Sequence, residues 1–470
     1  MTEFSAHLPK IIKEAKTTVK VGAPVVAAQI VQMSMAFTDT LMAGNLSAKA
    51  LAAVAVGTSL FGPVFFFIVG VLLAVNPIVA QLFGAGKMEQ IGRNIWQALW
   101  LSQILAVPCF FILRNMNIVM DFFHIKSEII PITQGYLDAF SWGVPAAFAY
   151  FALRFVNEGI SVTKPSMYFA LLGLLLNVLG NYVFMYGKLG VPALGAVGTG
   201  WATTLVWWTI LAAIVRFTFR KQNNRLFSIV KGLNYPVWAN QNEILKIGLP
   251  NGFSIGIEVT MFATVALIMG SLGVKIIAGH QIAINFAAFT FMIPLGLSFA
   301  TTARVGFAVG AEEFARARFI GYIGIAVSVL VMSLTAILMF TVPRLIVRIY
   351  TQDLEVTEIA VKLLYLAAIF QISDGLQVSS LGALRGLKDT KIPMFVNIVA
   401  YWVVGLPFGY YLGIHFDYGA QGLWIGLIAG LSVAAILHNW RFYYLTNHRA
   451  RWNVLYGEIA TKKQNDFNLN

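Results

Sequence analysis

The sequence predicts an all-α integral membrane protein: twelve transmembrane helices in two six-helix lobes, related by a parallel internal repeat. Three observations predict it. Of 470 residues, 58% are hydrophobic and only 11% charged, with a mean hydropathy of +0.75, where a soluble globular protein carries about 25% charged residues. The apolar runs reach the ~20 residues that a bilayer-crossing helix needs. The second half of the chain also repeats residues of the first at a nearly fixed offset.

Apolar length and polar breaks place spans near 21–44, 51–82, 94–114, 130–157, 166–187 and 195–216, then 243–271, 276–308, 317–342, 358–386, 391–413 and 418–446. The second and eighth are long for one straight span, so tilt or interfacial ends are expected. Residues 1–20 read as a basic, partly amphipathic cytoplasmic lead-in without the compact apolar core of a cleaved signal peptide. The N-terminal lobe then covers 21–216, a polar cytoplasmic linker 217–242, the C-terminal lobe 243–446 and a polar cytoplasmic tail 447–470.

Loop charge alternates. One side carries Lys10, Lys13, Lys16, Lys20, Lys87, Arg93, Lys164, Arg216, Arg220, Lys221, Arg225, Lys231, Arg316, Arg318, Arg385, Lys388, Lys391, Arg449, Arg451, Lys462 and Lys463. The other has only Lys49, Lys126, Lys188, Lys275, Arg344 and Arg348. The positive-inside rule makes the first side cytoplasmic, with both termini inside, as an even span count requires. The net charge of +13 thus reads as loop bias and attraction to anionic headgroups, with no nucleic-acid partner expected. A single cysteine, Cys109, excludes an internal disulfide framework and reads as a buried, inert thiol.

Gly22 and Gly248 lie 226 positions apart, as do Pro24 and Pro250, Thr38 and Thr264, Gly44 and Gly270, Leu46 and Leu272, Lys49 and Lys275, Gly70 and Gly296, Ala74 and Ala300, Gly84 and Gly310, and Ala85 and Ala311. After one inserted residue, Gly159 pairs with Gly386, Thr163 with Thr390 and Lys164 with Lys391. Six spans per half make both repeats enter the membrane in the same direction. Parallel repeats are related by an axis along the membrane normal, with a site between them near the midplane, which is a transporter architecture.

Polar residues inside spans are expensive and mark sites or partners. In the first span Gln29, Gln32, Ala36 and Asp39 share one helical face, the wall of a wet cavity. Asn177 and Asn181 in the fifth span are i and i+4, either interhelical glue or direct site residues matching the acid Asp39 in the same half. In the seventh span Asn251, Ser254 and Glu258 share a face, and Glu258 follows Gln32 by 226 positions. Gly248, Gly252 and Gly256 form a row read as helix contact. Gln281 and Asn285 are i and i+4 in the eighth span, and Gln371, Asp374 and Gln377 are three apart in the tenth. Gln32, Asn251, Ser254, Asn285, Gln371 and Gln377 are candidate cavity-lining residues. Arg154, Glu158 and Arg304, near cytoplasmic ends, read as pairing or snorkelling residues, and Asp138 is ambiguous.

No enzymatic motif competes. The GAGK at 84–87 lacks the leading Gly of a phosphate loop, no His-Glu-x2-His pair occurs among the six histidines, and there is no Gly-x-Ser-x-Gly elbow. No paired acids at short spacing suit a membrane-embedded transferase acting on a metal diphosphate.

The stretches VGAPVVAAQIVQMSMAFTDTLMAG, LAAVAVGTSLFGPVF, AVNPIVAQLFGAGK, AGHQIAINF and LRGLKDTKIPMFVNIVAYWVVGLP resemble the multidrug and toxic compound extrusion (MATE) family, its bacterial NorM-type branch above all, over nearly the whole chain. The resemblance implies two six-helix lobes around a V-shaped cavity, a rocking-switch exchange of a coupling cation for a drug, and no cofactor. It matches Asp39, Asn177, Asn181, Glu258, Gln281 and Asp374 to the family's intramembrane polar positions, as cation- or substrate-binding residues. The loop IYTQDLEV keeps one acid, Asp353, where some relatives carry a pair. The expected activity is antiport of cationic, amphipathic compounds (dyes, fluoroquinolone-like drugs) for Na+ or H+ by a monomer in the cell inner membrane. The ion would sit at Glu258 and Asp374, or at Asp39 with the two asparagines; Na+ is favoured because carboxylates and amides make an oxygen cage. The alternative is a lipid-linked precursor flippase, which needs basic residues converging on the cavity.

Overall fold

The computed structural model describes residues 2–220, 226–227 and 235–447, with side chains from Leu8 onward. Linker residues 221–225 and 228–234, with Lys221, Arg225 and Lys231, and the tail beyond 447, with its basic residues, lie outside the described residues. Eleven described helices are long and apolar enough to cross a membrane, and a bent pair makes the twelfth. The spans of the first half are α1 (Thr2–Leu46), α2 with α3 (Ala48–Leu72, Val75–Gly84), α4 (Met88–Arg114), α6 with α7 (Ile130–Ser141, Val144–Gly159), α8 (Lys164–Phe184) and α9 (Ala196–Thr218), with the short α5 (Met116–Phe122) after α4. Those of the second are α10 (Trp238–Leu272), α11 (Val274–Gly310), α12 (Phe314–Thr341), α14 (Leu354–Gly386), α15 with α16 (Lys391–Ile398, Leu406–Tyr410) and α17 (Gly419–Asn447), with the short α13 (Pro343–Arg348) after α12.

Residues 2–20, read from the sequence as a basic lead-in, run on into the first span in one helix of 45 residues. The expected second span is divided at 73–74, just before Pro77, whose missing N–H leaves a gap in the helical ladder. The fourth bends by 49° ahead of Pro145. The eleventh relaxes into π-helical turns at Val399–Gly405 and Tyr411–His415, flanking Pro407. The eighth span runs unbroken for 37 residues.

Pseudo-two-fold symmetry is visible contact by contact. Gly22 of α1 packs on Leu297 of α11, and Gly248 of α10 packs on Val71 of α2. Both members of the second contact lie 226 positions from their counterparts in the first. The same exchange turns Gly70 against Gly252 into Gly296 against Val26, and Gly84 against Phe307 into Gly310 against Gln81. Such reciprocal contacts are the signature of a two-fold axis. At the far end the repeat holds again: Lys49 pairs with Glu128 at 2.8 Å, and Lys275 pairs with Glu355.

The reciprocal contacts bring backbone against backbone. A Cβ on Gly84 or Gly310 would overlap the carbonyl of Phe307 or Gln81. Lipid supplies no hydrophobic drive between helices, so small residues that allow close van der Waals approach hold such seams together. All of these contacts fall in the half of the bundle toward Lys87. Beyond them the lobes part: nothing lies within 4 Å of a Cβ at Gly256 or Gly270. Of the expected glycine row, Gly248 and Gly252 meet α2 and Gly256 meets open space. The apolar stretches of α1 and α10 are the least buried of the eleven unbroken spans, at 22% and 17%, so where the lobes part these two helices are the least covered by protein.

Ionic contacts close the same end. Glu14 of α1 binds Arg304 of α11 and also Arg316 of α12, at 3.3 Å, and Arg304 reaches the Glu14 carbonyl at 2.9 Å and the Thr18 hydroxyl. Arg304 is thus paired and does not snorkel. Breaking a buried pair leaves an uncompensated charge at about 3–5 kcal/mol. E14A is expected to lower the melting temperature of the detergent-solubilised protein, and E14A/R304M to recover part of the loss; an E14A variant that melts with the parent would contradict this.

Candidate functional site

Two polar clusters lie inside the spans, one per lobe. In the first, α1 presents the half-buried Asp39 to α8. Asn177 and Asn181 lie one turn apart on α8, so both amides reach one carboxylate: their Nδ2 groups donate to Asp39 Oδ1 at 2.9 and 2.6 Å. Both asparagines are fully buried, and Asn181 Oδ1 has no partner. A buried acceptor without a donor wants a cation or a donor. The carboxylate and amide oxygens form a small oxygen set, suited to a hard monovalent cation or to a proton on Asp39.

Deeper in this lobe, Arg154 of α7 is fully buried and fully engaged. Its Nε meets Glu158 at 2.7 Å, while Nη1 and Nη2 donate to Gln32 Oε1 at 3.2 Å and Gln29 Oε1 at 2.8 Å. Arg154 and Glu158 are therefore a paired core element, and snorkelling does not occur. The carbonyls of Gln29 and Gln32, read from sequence as cavity wall, point to this arginine.

In the second lobe, Glu258 is half-buried on α10 and Asp374 buried on α14. Around them the helices are tied by polar bonds. Ser254 accepts from Asn397 at 2.9 Å, Gln377 donates to the Tyr401 hydroxyl at 2.9 Å, and Gln371 donates to the Thr290 hydroxyl and, at 3.3 Å, to the Ala287 carbonyl. Asn251 donates to the Gly70 carbonyl of the other lobe at 2.6 Å. Asn251, Ser254, Gln371 and Gln377 are thus buried between helices and bonded to neighbours, although Gln371 Oε1 and Gln377 Oε1 have no partner. Gln281 and Asn285 are exposed on α11. Asp138 accepts from Gln134 at 2.8 Å, away from both clusters. Asp353 caps α14 by accepting from Glu355 and Val356 N–H groups; chiefly the Val356 bond holds its carboxyl below the usual range. Among the described residues, no group of three His, Cys, Asp or Glu could hold a metal ion.

One central residue was misplaced by sequence reasoning. Arg385, counted among cytoplasmic loop cations, is buried at the end of α14, and its Nε donates to Asn251 Oδ1 at 2.6 Å. Two signals pointed there. Arg385 follows Asp374 by eleven positions, three turns on the same helix face. It also stands 227 positions after Glu158, an intramembrane acid of the first half. Tyr401, Asn397 and Thr290 gave no comparable signal.

Comparison with known proteins agrees with this architecture. The MatE family model matches the chain twice, over residues 24–183 and 250–411, and the matches begin 226 positions apart. Multidrug resistance protein MdtK of Yersinia pseudotuberculosis serotype O:1b (strain IP 31758) is 40% identical over 444 residues, covering 93% of this chain and 97% of the relative. The MdtK of Yersinia enterocolitica serotype O:8 / biotype 1B is similar to the same extent. The eukaryotic MATE transporter AtDTX14 superposes with a TM-score of 0.83 at 18% identity, covering 94% of this chain and 99% of that one. A multidrug resistance MATE family transporter of the MOP superfamily, in its outward-facing conformation, superposes with 0.83 at 21% identity over 94% and 97% of the two chains. The structural likenesses carry the two-lobe fold, and the family match and the sequence identity carry the kinship: the chain belongs to the MatE family of membrane transporters and is not an enzyme.

Proposed function

We propose that the protein is a secondary antiporter that exports cationic, amphipathic drugs in exchange for Na+ or H+, by alternating access. The observation that carries this reading is Asp39 on the cleft-lining α1, held by two buried amides with an unpartnered amide oxygen beside it. Glu258 on the cleft-lining α10, with Asp374 behind it, supplies the second acidic site. The kinship to proteins named for multidrug resistance supports drugs as the cargo.

In low dielectric a carboxylate gains strongly from any cation that compensates it. Drug and coupling ion compete for the same negative charge, so binding of one releases the other. Antiport further requires that each ligand prefer a different conformation. With the seam closed at the Lys87 end, the acids communicate with the opposite face. The excess of basic residues at the Lys87 end makes that end cytoplasmic and the cleft outward-facing, in an inner membrane with both termini inside. The membrane potential adds about 2.3 kcal/mol per elementary charge per 100 mV. The flippase reading is weakened because Arg154 is saturated by protein groups and Arg385 is buried with its Nε held by Asn251. An anionic headgroup would find acids on the cleft-lining helices.

Ethidium movement in everted vesicles, driven separately by imposed Na+ and pH gradients, tests the reading. Drug uptake under either gradient is expected, with Na+ the effective ion if the oxygen sets bind it; no movement under either would bring the flippase forward. Neutralising the acids gives the second test. D374N, E258Q and D39N should each reduce efflux by about tenfold or more, the change that ~1.4 kcal/mol of lost charge pairing produces. Undiminished efflux in any of them, at equal membrane expression, removes that residue from the mechanism.

A further inference from the structure

The two lobes treat their buried arginine differently, and the difference bears on Glu258. In the first lobe Arg154 is neutralised in place by Glu158 and saturated by Gln29 and Gln32. In the second lobe the position equivalent to Glu158 is itself the cation, Arg385. Its Nε is held by the neutral Asn251, its Nη1 is buried with no partner, and among the described residues it forms no ion pair. Its charge therefore remains in the low-dielectric interior, one hydrogen bond from Asn251, which precedes Glu258 by two helical turns on the same face of α10. Asn251 is in turn fixed by its bond to Gly70 of the opposite lobe, so the seam positions the arginine. Val25 stands at the equivalent place in the first half and makes no such bridge.

The geometry points to Arg385 as a tethered counter-cation that weakens the binding of mobile cations at Glu258 while the seam is closed. The chain Gly70–Asn251–Arg385 makes this weakening depend on conformation. Opening the seam parts α2 from α10, removes the carbonyl that fixes Asn251, and releases the arginine from its place. The cation affinity of Glu258 then differs between the two states, as exchange requires. This inference rests on Glu258 being a cation site, as proposed above. It adds a charge-positioning residue that no drug needs to touch.

Equilibrium binding of ethidium to the purified full chain in detergent, read by fluorescence anisotropy, tests it. R385M and R385Q should bind ethidium about tenfold more tightly than the parent, a gain of ~1.4 kcal/mol. R385K, which keeps the charge, should bind as the parent does. A merely structural arginine would give weaker or unchanged binding in the neutral variants. Should those variants fail to fold, N251D places a carboxylate against Arg385 and is also expected to tighten binding. In an E258Q background every one of these gains should vanish. An E258Q variant that binds ethidium like the parent overturns the cation-site reading and this inference together. Weakened binding in E258Q with no gain in folded R385M, R385Q or N251D overturns this inference alone.

Discussion

The structure depends on the close approach of backbones across the seam between its two halves. Six residue pairs related by the repeat meet there, and glycine stands in each because the opposing chain occupies the volume a Cβ would fill. Inside a bilayer, attraction between helices comes from such packing and from polar bonds. The seam is therefore dense at one end and ends where the glycines no longer face a partner. That limit fixes where the cleft begins, and it places the later turns of α1 and α10, with Asp39 and Glu258, on its walls. A seam of reciprocal contacts can also part as a unit, which suits a rocking exchange better than a diffuse apolar core would.

Symmetry in packing coexists with asymmetry in charge. The two lobes share glycines, prolines and outer ion pairs, yet their interior chemistry diverges. The first lobe encloses a neutralised Arg154–Glu158 pair and a single acid held by amides. The second holds two acids and an arginine bound only to a neutral amide. Each lobe thus carries one acid in excess of its buried arginine, and burying charge is costly unless it is compensated; the lobes differ in that only the first pairs its arginine directly with an acid. The fold is thus duplicated while the pairing of buried charge is not.

Much of this was legible in the sequence because the relevant signals are periodic. Apolar length gave the spans, the 226-residue offset gave the two lobes, and an acid one face away from amides gave the Asp39 cluster. The breaks were less legible. Pro77, Pro145 and Pro407 mark interruptions, yet Pro24, Pro63, Pro108, Pro250 and Pro294 lie inside continuous helices, so proline alone does not reveal which ladder opens. Arg385 was read as a loop cation because a basic residue near a span end ordinarily serves topology. Its burial and its bond to Asn251, made across two helices, establish it as interior. The bonds of Gln29 and Gln32 to Arg154 were hidden for the same reason: partners 122 and 125 positions apart leave no mark in local spacing.

The central claim is that the seam at the Lys87 end opens and closes during exchange. Phe83 and Phe307 meet across it with ring centroids 5.5 Å apart, and the single native cysteine, Cys109, is buried. A disulfide formed in F83C/F307C should abolish ethidium efflux in vesicles while leaving ethidium binding from the cleft side intact, and reduction should restore transport. Efflux that continues at the parental rate with the disulfide in place would contradict the account.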